Sequence, residues 1–156
     1  MTGSGSTAFL VAQLGGLAAM RFGDRLAPLG LSPAQAGLLR AVGSQPGRSQ
    51  QALAAELSLL PSRLVAMVDE LEADGVLERR PNPNDRRHHA LHLTPAGEKL
   101  LREIGKVAQE HGRDFLAPLG EQDQETLTRL LGRLAEGHGL TPGVHPGYAR
   151  MGRTKR

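Results

Sequence analysis

The side chains best able to make specific contacts crowd into one stretch, Asp85-Arg86-Arg87-His88-His89, with Arg79 and Arg80 just ahead and His92 just behind. Guanidinium groups this close together suit phosphate oxygens and narrow anionic grooves, where their planar forks donate paired hydrogen bonds. The histidines, together with Asp85, raise metal binding as the competing chemistry. Their spacing is wrong for ligands on a helix, and on a strand His89 and His92 fall on opposite faces. No metal and no cofactor is therefore expected, and the imidazoles add donors, with some positive charge at lower pH. The sequence has no nucleophile elbow, no phosphate-cradling glycine loop and no paired-carboxylate constellation, so it does not read as an enzyme.

Residues 60–94 must position this cluster. Pro61 suits the first turn of a helix, where its missing N–H is no loss. Leu64, Val68 and Leu71 then recur at i, i+4, i+7 and define a buried stripe. Gly75 follows as a left-handed stop. Residues 76–80 and 90–94 have the short, alternating character of paired strands. Between them PNPNDRRHH, with two prolines and two asparagines, predicts a loop that is neither strand nor helix interior. A helix followed by a two-stranded ribbon with a basic tip is the pattern of a winged helix that reads DNA. Opposite the buried stripe the helix carries Ser62, Arg63, Ala66, Asp69, Glu70 and Ala73. Small or donor-bearing residues fill its N-terminal half and acids its C-terminal half, which suits entry into the major groove N-terminus first.

With these residues in view, LVAMVDELEADGVLERR and NDRRHHALHLTPAG resemble the DNA-binding core of the MarR family of bacterial transcription regulators. The matching features are the leucine-rich helix, Gly75 to Arg79, Asp85 with Arg87, and Leu93-Thr94 with Gly97. The resemblance spans about residues 8–137. It implies DNA contacts from Ser49, Gln50, Pro61, Ser62, Arg63, Ala66, Arg79, Asp85, Arg86 and Arg87. It further implies that Asp85 holds Arg87 for insertion into the minor groove, as a carboxylate can by fixing a guanidinium through a bidentate bond. Effector pockets in the family lie between the dimerisation helices and the DNA-binding lobe, which makes Arg21 and His111 candidate pocket groups. The redox sensors of the family use a cysteine near the first helix, and this chain has no cysteine.

The implied fold is mainly α with a small β-wing: a winged helix-turn-helix core over 32–94 and a helical dimerisation region over 8–30 and 96–137. In the core, Ser32-Pro33-Ala34-Gln35 is a capping box that starts a helix. Residues 49–57 form the first helix of the helix-turn-helix, capped by Ser49, whose open N–H groups suit a phosphate. After the wing, Thr94-Pro95 opens a long helix to about Leu116. A last helix over 121–136 aligns Leu127, Leu130, Leu131 and Leu134. Residues 1–7, rich in Gly and Ser, and 138–156 are expected to be disordered.

Composition agrees with one domain of 156 residues. Aromatics are only 3% of residues, which excludes a binder built on stacked bases. No apolar run reaches a membrane span and no secretion signal is present, so a soluble, cytoplasmic protein is expected. The chain carries 19 basic and 16 acidic side chains. Four of the basic ones, Arg150, Arg153, Lys155 and Arg156, lie beyond position 138, so the body is near neutral and DNA affinity must come from local clustering. The function that follows is a sequence-specific, double-stranded-DNA-binding transcription regulator: a dimeric repressor on a palindromic operator, released by a small anionic or aromatic ligand. An effector-independent or architectural DNA binder is the alternative.

Overall fold

The computed structural model describes residues 4–148. Among them six helices and one ribbon follow in order: α1 (Ser4–Leu26), α2 (Pro33–Ser44), α3 (Gln50–Glu56), α4 (Pro61–Ala73), β1 (Leu77–Asn82), β2 (Asp85–Leu93), α5 (Pro95–Leu116) and α6 (Glu121–Gly137). A short 3-10 turn, Ala27–Leu29, joins α1 to α2 and ends at Gly30 in the left-handed region. No single helix among these residues is long and apolar enough to cross a membrane.

The helix starts follow local chemistry. At α2, Ser32 accepts from the Gln35 N–H while the Gln35 side chain accepts from the Ser32 N–H, the reciprocal bonds of a capping box. Ser49 caps α3 by accepting from the Ala52 N–H, and Pro61 opens α4 at its first position. The end of α4 is a left-handed stop, as expected: Gly75 has φ +74°, and the Val76 N–H bonds back to the Leu71 carbonyl. One core results. Leu38 and Leu39 of α2, Leu53 of α3, and Leu64, Val68 and Leu71 of α4 meet Leu77 and Leu91 of the ribbon and Ile104 of α5.

The ribbon is longer than the sequence suggests. Residues 81–89 do not form one loop: β1 runs through Pro81 to Asn82, β2 starts at Asp85, and only Pro83 and Asn84 turn. Pro81 is tolerated because β1 is an edge strand, and the ladder slips register directly after it, from Pro81↔His89 to Asn82↔Asp85. That slip leaves Arg86, Arg87 and His88 as a bulge on β2. The other edge of β2 is met by residues 47–49, through Gly47 N–H to Leu91 carbonyl (2.9 Å) and Leu91 N–H to Arg48 carbonyl (3.0 Å).

Both chain ends depart from expectation within the described residues. Helix α1 begins at Ser4, four residues before the expected start, while residues 1–3 lie outside the described set. Residues 138–148, expected to be disordered, return as turns onto α2, and residues 149–156 with the basic cluster lie outside the described residues. The single tyrosine explains the return: Tyr148 is 8% exposed, and its ring lies against Gly37, where a Cβ would stand 2.8 Å from it. Arg40 also donates to the Gly143 carbonyl, and Val144 packs on the core. One aromatic anchor in an aperiodic segment leaves no amphipathic pattern to read.

The wing root and α5 meet at closest range at Gly97. The Thr94 hydroxyl donates to the Gly75 carbonyl (2.6 Å) and accepts from the Gly97 N–H (3.1 Å). A Cβ at Gly97 would stand 2.0 Å from the Val76 carbonyl oxygen. Gly97→Ala is therefore expected to destabilise the fold by about 1–3 kcal/mol through overpacking. Gly105→Ala on the same helix, with nothing within 4 Å, should be neutral or stabilising by up to about 1 kcal/mol. Urea unfolding of the two variants checks the contrast.

Candidate nucleic-acid interface

Helix α4 buries Leu64, Met67, Val68 and Leu71. Its opposite side is thereby exposed, with Pro61, Ser62, Ala66, Asp69 and Ala73 on the surface and Arg63 half-buried. The start of α4 has no side-chain cap; Pro61 carries no N–H and the Arg63 N–H bonds to the Leu60 carbonyl (3.0 Å), which leaves the Ser62 N–H to meet an anion. Two apolar residues that the sequence assigned no role also face outward here: Leu60 and Val65. Val65 lies one turn from Ser62 and Asp69, on the reading surface. An apolar contact there suits a thymine methyl. Periodicity alone counts a valine toward the core, which is why the sequence concealed it.

Arg79, which the sequence offers as a phosphate contact or as scaffold of the wing, is bonded within the fold. Its Nε donates to Gln50 Oε1 (3.1 Å), one terminal nitrogen to Glu72 (3.1 Å) and the other to Asp69 (2.6 Å). One guanidinium thus ties β1 to the start of α3 and to the C-terminal half of α4, and its side chain is only 18% exposed. The acids of α4 that seemed placed to stay clear of phosphates are its partners. Gln50 is drawn into the same network. Arg80 pairs with Glu78 on its own strand.

The wing tip is closed by two side-chain turns, in which Asn82 accepts from the Asn84 N–H (3.0 Å) and Asp85 from the Arg87 N–H (2.9 Å). Asp85 therefore orders Arg87 through its backbone, not by the bidentate guanidinium bond expected. Its second carboxylate oxygen lies 3.6 Å from His88 Nε2, an ion pair when that ring is protonated. Arg87 is exposed and among the described residues its guanidinium has no partner. Arg86 sits beside it in the bulge. No group of three or more His, Asp or Glu side chains that could hold a metal ion is found among the described residues.

A second polar cluster lies where α1 packs on α5. His111 stands between Phe22 (ring centroids 5.4 Å) and Phe115 (5.8 Å). Burial lowers its pKa below the ordinary 6.5, the charges of Arg25 and Arg21 lower it further, and Asp114 partly opposes them. Arg25, which the sequence gave no reason to select, pairs with Asp114 and more distantly with Glu110 (3.9 Å). Arg21 lies near enough for its charge to act on His111. Neither lines the cavity of about 510 Å3 at the wing root, formed by Gly43, Pro46, Arg80, His92, Leu93, Glu98, Leu101 and Arg102. Arg80, one of its two guanidiniums, pairs with Glu78, and Glu98 is the one acid among these lining residues.

Residues 29–88 match the model of the MarR family. A proposed transcriptional regulatory protein for the hcr operon of Thauera aromatica is 36% identical over 113 residues, covering 72% of this chain and 68% of that protein. The chain belongs to the MarR family. Among solved structures, MarR of E. coli without ligand superposes with a TM-score of 0.74 at 25% identity, covering 86% of this chain and 98% of that one. The transcriptional repressor CouR bound to a 23-mer DNA duplex superposes with a TM-score of 0.71 at 35% identity, covering 82% and 89%. The fold is accordingly the winged helix of this family, whose members are regulators of transcription that bind DNA.

The MarR motif residues acquire separate physical duties here. Gly75 and Thr94-Gly97 hold the wing root on α5, Arg79 locks the wing to α4, and Asp85 shapes the tip. Arg87→Ala should weaken DNA binding by about 1–3 kcal/mol and lower the slope of log affinity against log salt by roughly one unit, with little change in stability. Asp85→Ala should also weaken binding, because the turn that presents Arg87 is lost. Asp85→Asn keeps the acceptor and removes a negative charge, so it should bind at least as tightly as the native protein. Fluorescence anisotropy across a salt series separates the three.

Proposed function

We propose that this protein is a dimeric, sequence-specific repressor that reads a palindromic operator and is released by a small anionic or aromatic ligand. In this reading Ser62, Val65 and Ala66 of α4 approach base edges in the major groove. Arg63 and the helix start meet phosphate, and Arg87 enters the minor groove with Arg86 beside it. The observation that carries the reading is the wing tip: the Asp85 carboxylate accepts from the Arg87 N–H, and the exposed Arg87 guanidinium has no partner among the described residues. CouR, of similar fold, is bound to a 23-mer DNA duplex, which supports duplex DNA as the partner.

Dimerisation rests on apolar surface that one chain leaves open. Helix α6 buries none of its residues, yet exposes Leu130, Leu131 and Leu134. Helix α1 exposes Phe9, Leu10, Val11, Leu14 and Met20. Contiguous faces of this kind mark an interaction surface, and a second copy supplies matching faces and the two-fold symmetry a palindrome requires. Leu130→Glu combined with Leu134→Glu should split the dimer in sedimentation and abolish nanomolar binding to a duplex selected from a random library. A double variant that remains a dimer and binds as tightly would overturn this assignment of the interface.

The ligand is placed at the α1–α5 cluster, with Arg21 and His111 as its polar groups between the rings of Phe22 and Phe115. Because burial and two arginines depress the His111 pKa, the ring is neutral at pH 7.5 in the free protein. A bound anion favours the charged ring and raises that pKa. Binding of benzoate, as a probe, should then take up protons, and its affinity should rise as pH falls from about 8 to about 6. Titration calorimetry in buffers of different ionisation enthalpy measures the uptake. Binding without proton uptake, or unaffected by His111→Gln, would remove His111 from the site.

A further inference from the structure

Gln35 is the one polar side chain among the described residues that is buried, at 8% exposure. Both ends of its amide are committed. Oε1 accepts from the Ser32 N–H (2.9 Å) and Nε2 donates to Glu70 Oε2 (3.0 Å). The orientation is set by chemistry: Ser32 N–H needs an acceptor and the Glu70 carboxylate needs a donor, so flipping the amide loses both bonds. At one end stands the junction between α1 and α2, where the chain turns through Gly30 at φ +71° into the Ser32 cap. At the other stands α4, four residues beyond Ala66 and between the two acids gripped by Arg79.

The C-terminal half of α4 is therefore held from two sides. Arg79 fixes Asp69 and Glu72 to the wing, and Gln35 fixes Glu70 to α2. The apolar stripe of Leu64, Val68 and Leu71 sets the depth of α4 in the core, but non-directional contacts leave its roll loosely defined. Directional bonds on either side of the stripe define it: the part-buried Gln35–Glu70 bond on one side and the Arg79 bonds to Asp69 and Glu72 on the other. A small roll would move Ser62, Val65 and Ala66 together across the reading surface. Backbone contacts to DNA phosphate would suffer less, because they carry no sequence information.

We propose that Gln35 is a positioning residue: through Glu70 it sets the roll of the recognition helix, and with it the discrimination between operator and other DNA. This rests on the reading that α4 reads base edges. Conversely, movement at the α1–α2 junction reaches α4 through a single amide.

The test uses the full-length chain and a duplex selected by the native protein from a random library. Affinities for that duplex and for a scrambled duplex are compared across four variants, with unfolding measured alongside. Gln35→Glu opposes two carboxylates and should lower the ratio of the two affinities by about tenfold or more, a size set by the loss of one charge-assisted bond. Glu70→Ala leaves the α2 cap intact and should lower the ratio similarly in a protein that still folds. Glu70→Gln keeps an amide–amide bond and should stay within about twofold of the native ratio. The pair Gln35→Glu with Glu70→Gln lets the carboxylate at position 35 accept from both Ser32 and position 70, and should restore the ratio lost by Gln35→Glu alone. An unchanged ratio in Glu70→Ala, an equal loss on both duplexes, or failure of the pair to recover would each overturn the proposal. If the native protein selects no sequence at all, the failure lies with the reading of α4 itself.

Discussion

A single guanidinium ties the wing to both helices of the helix-turn-helix. Arg79 leaves β1, a strand with one free edge, and bonds simultaneously to α3 through Gln50 and to α4 through Asp69 and Glu72. A two-stranded ribbon is marginal by itself, and a short helix such as α3 is no better. Main-chain bonds from residues 47–49 hold β2, and directional side-chain bonds are what tie β1 to the helices. An arginine can do so because its fork offers donors in fixed directions, where a lysine would offer only a mobile point charge. Its neighbour Arg48 does related work behind the helix-turn-helix, tying the end of α2 to Glu56 of α3.

Around this hub the molecule divides by what is satisfied within one chain. The core from α2 to the root of α5 is closed: Leu38, Leu39, Leu53, Leu64 and Leu71 are fully buried, and α2, α3 and α5 have side-chain caps. The outer helices are not. Among the described residues α6 buries no side chain and leaves Leu130, Leu131 and Leu134 exposed, while α1 packs on the core through Phe22 and Leu26. The α1–α5 cluster around His111 lies between these two regimes. It joins a helix that belongs to the open part to one whose first turns belong to the closed part. Electrostatics follow the same division. Arg79 is engaged by two acids of α4, whereas the bulge at the wing tip presents Arg87 with no partner for its guanidinium among the described residues.

The sequence by itself determined the order and type of the elements, because these depend on local rules. Apolar period, a capping box at Ser32, prolines at first turns and a glycine stop at position 75 act within a few residues. The same rules placed the wing arginines and the stripe of α6. The chain ends were misread for a related reason: residues 138–148 are held by Tyr148 on Gly37, one contact more than a hundred residues distant in sequence, and no local pattern announces it. The extent of the ribbon was misread because a proline is forbidden only where its missing N–H would face a partner, and that depends on which edge of the strand is free.

What only the tertiary structure decided is the division of labour among like residues. Arg79 and Arg87 are the same residue type in one basic stretch, and sequence offers no way to rank them. Packing brings Gln50, Asp69 and Glu72 within reach of the first and nothing described within reach of the second. Likewise Asp85 and Arg87 were paired correctly, but through a backbone N–H, since a two-residue spacing in a turn brings the carboxylate to the main chain before the guanidinium. Gln35 reads in the sequence only as a cap, and its bond to Glu70 spans 35 residues. Spacing along the chain fixes which groups are near in sequence. Which donor meets which acceptor is settled where helices cross, and that requires the folded core.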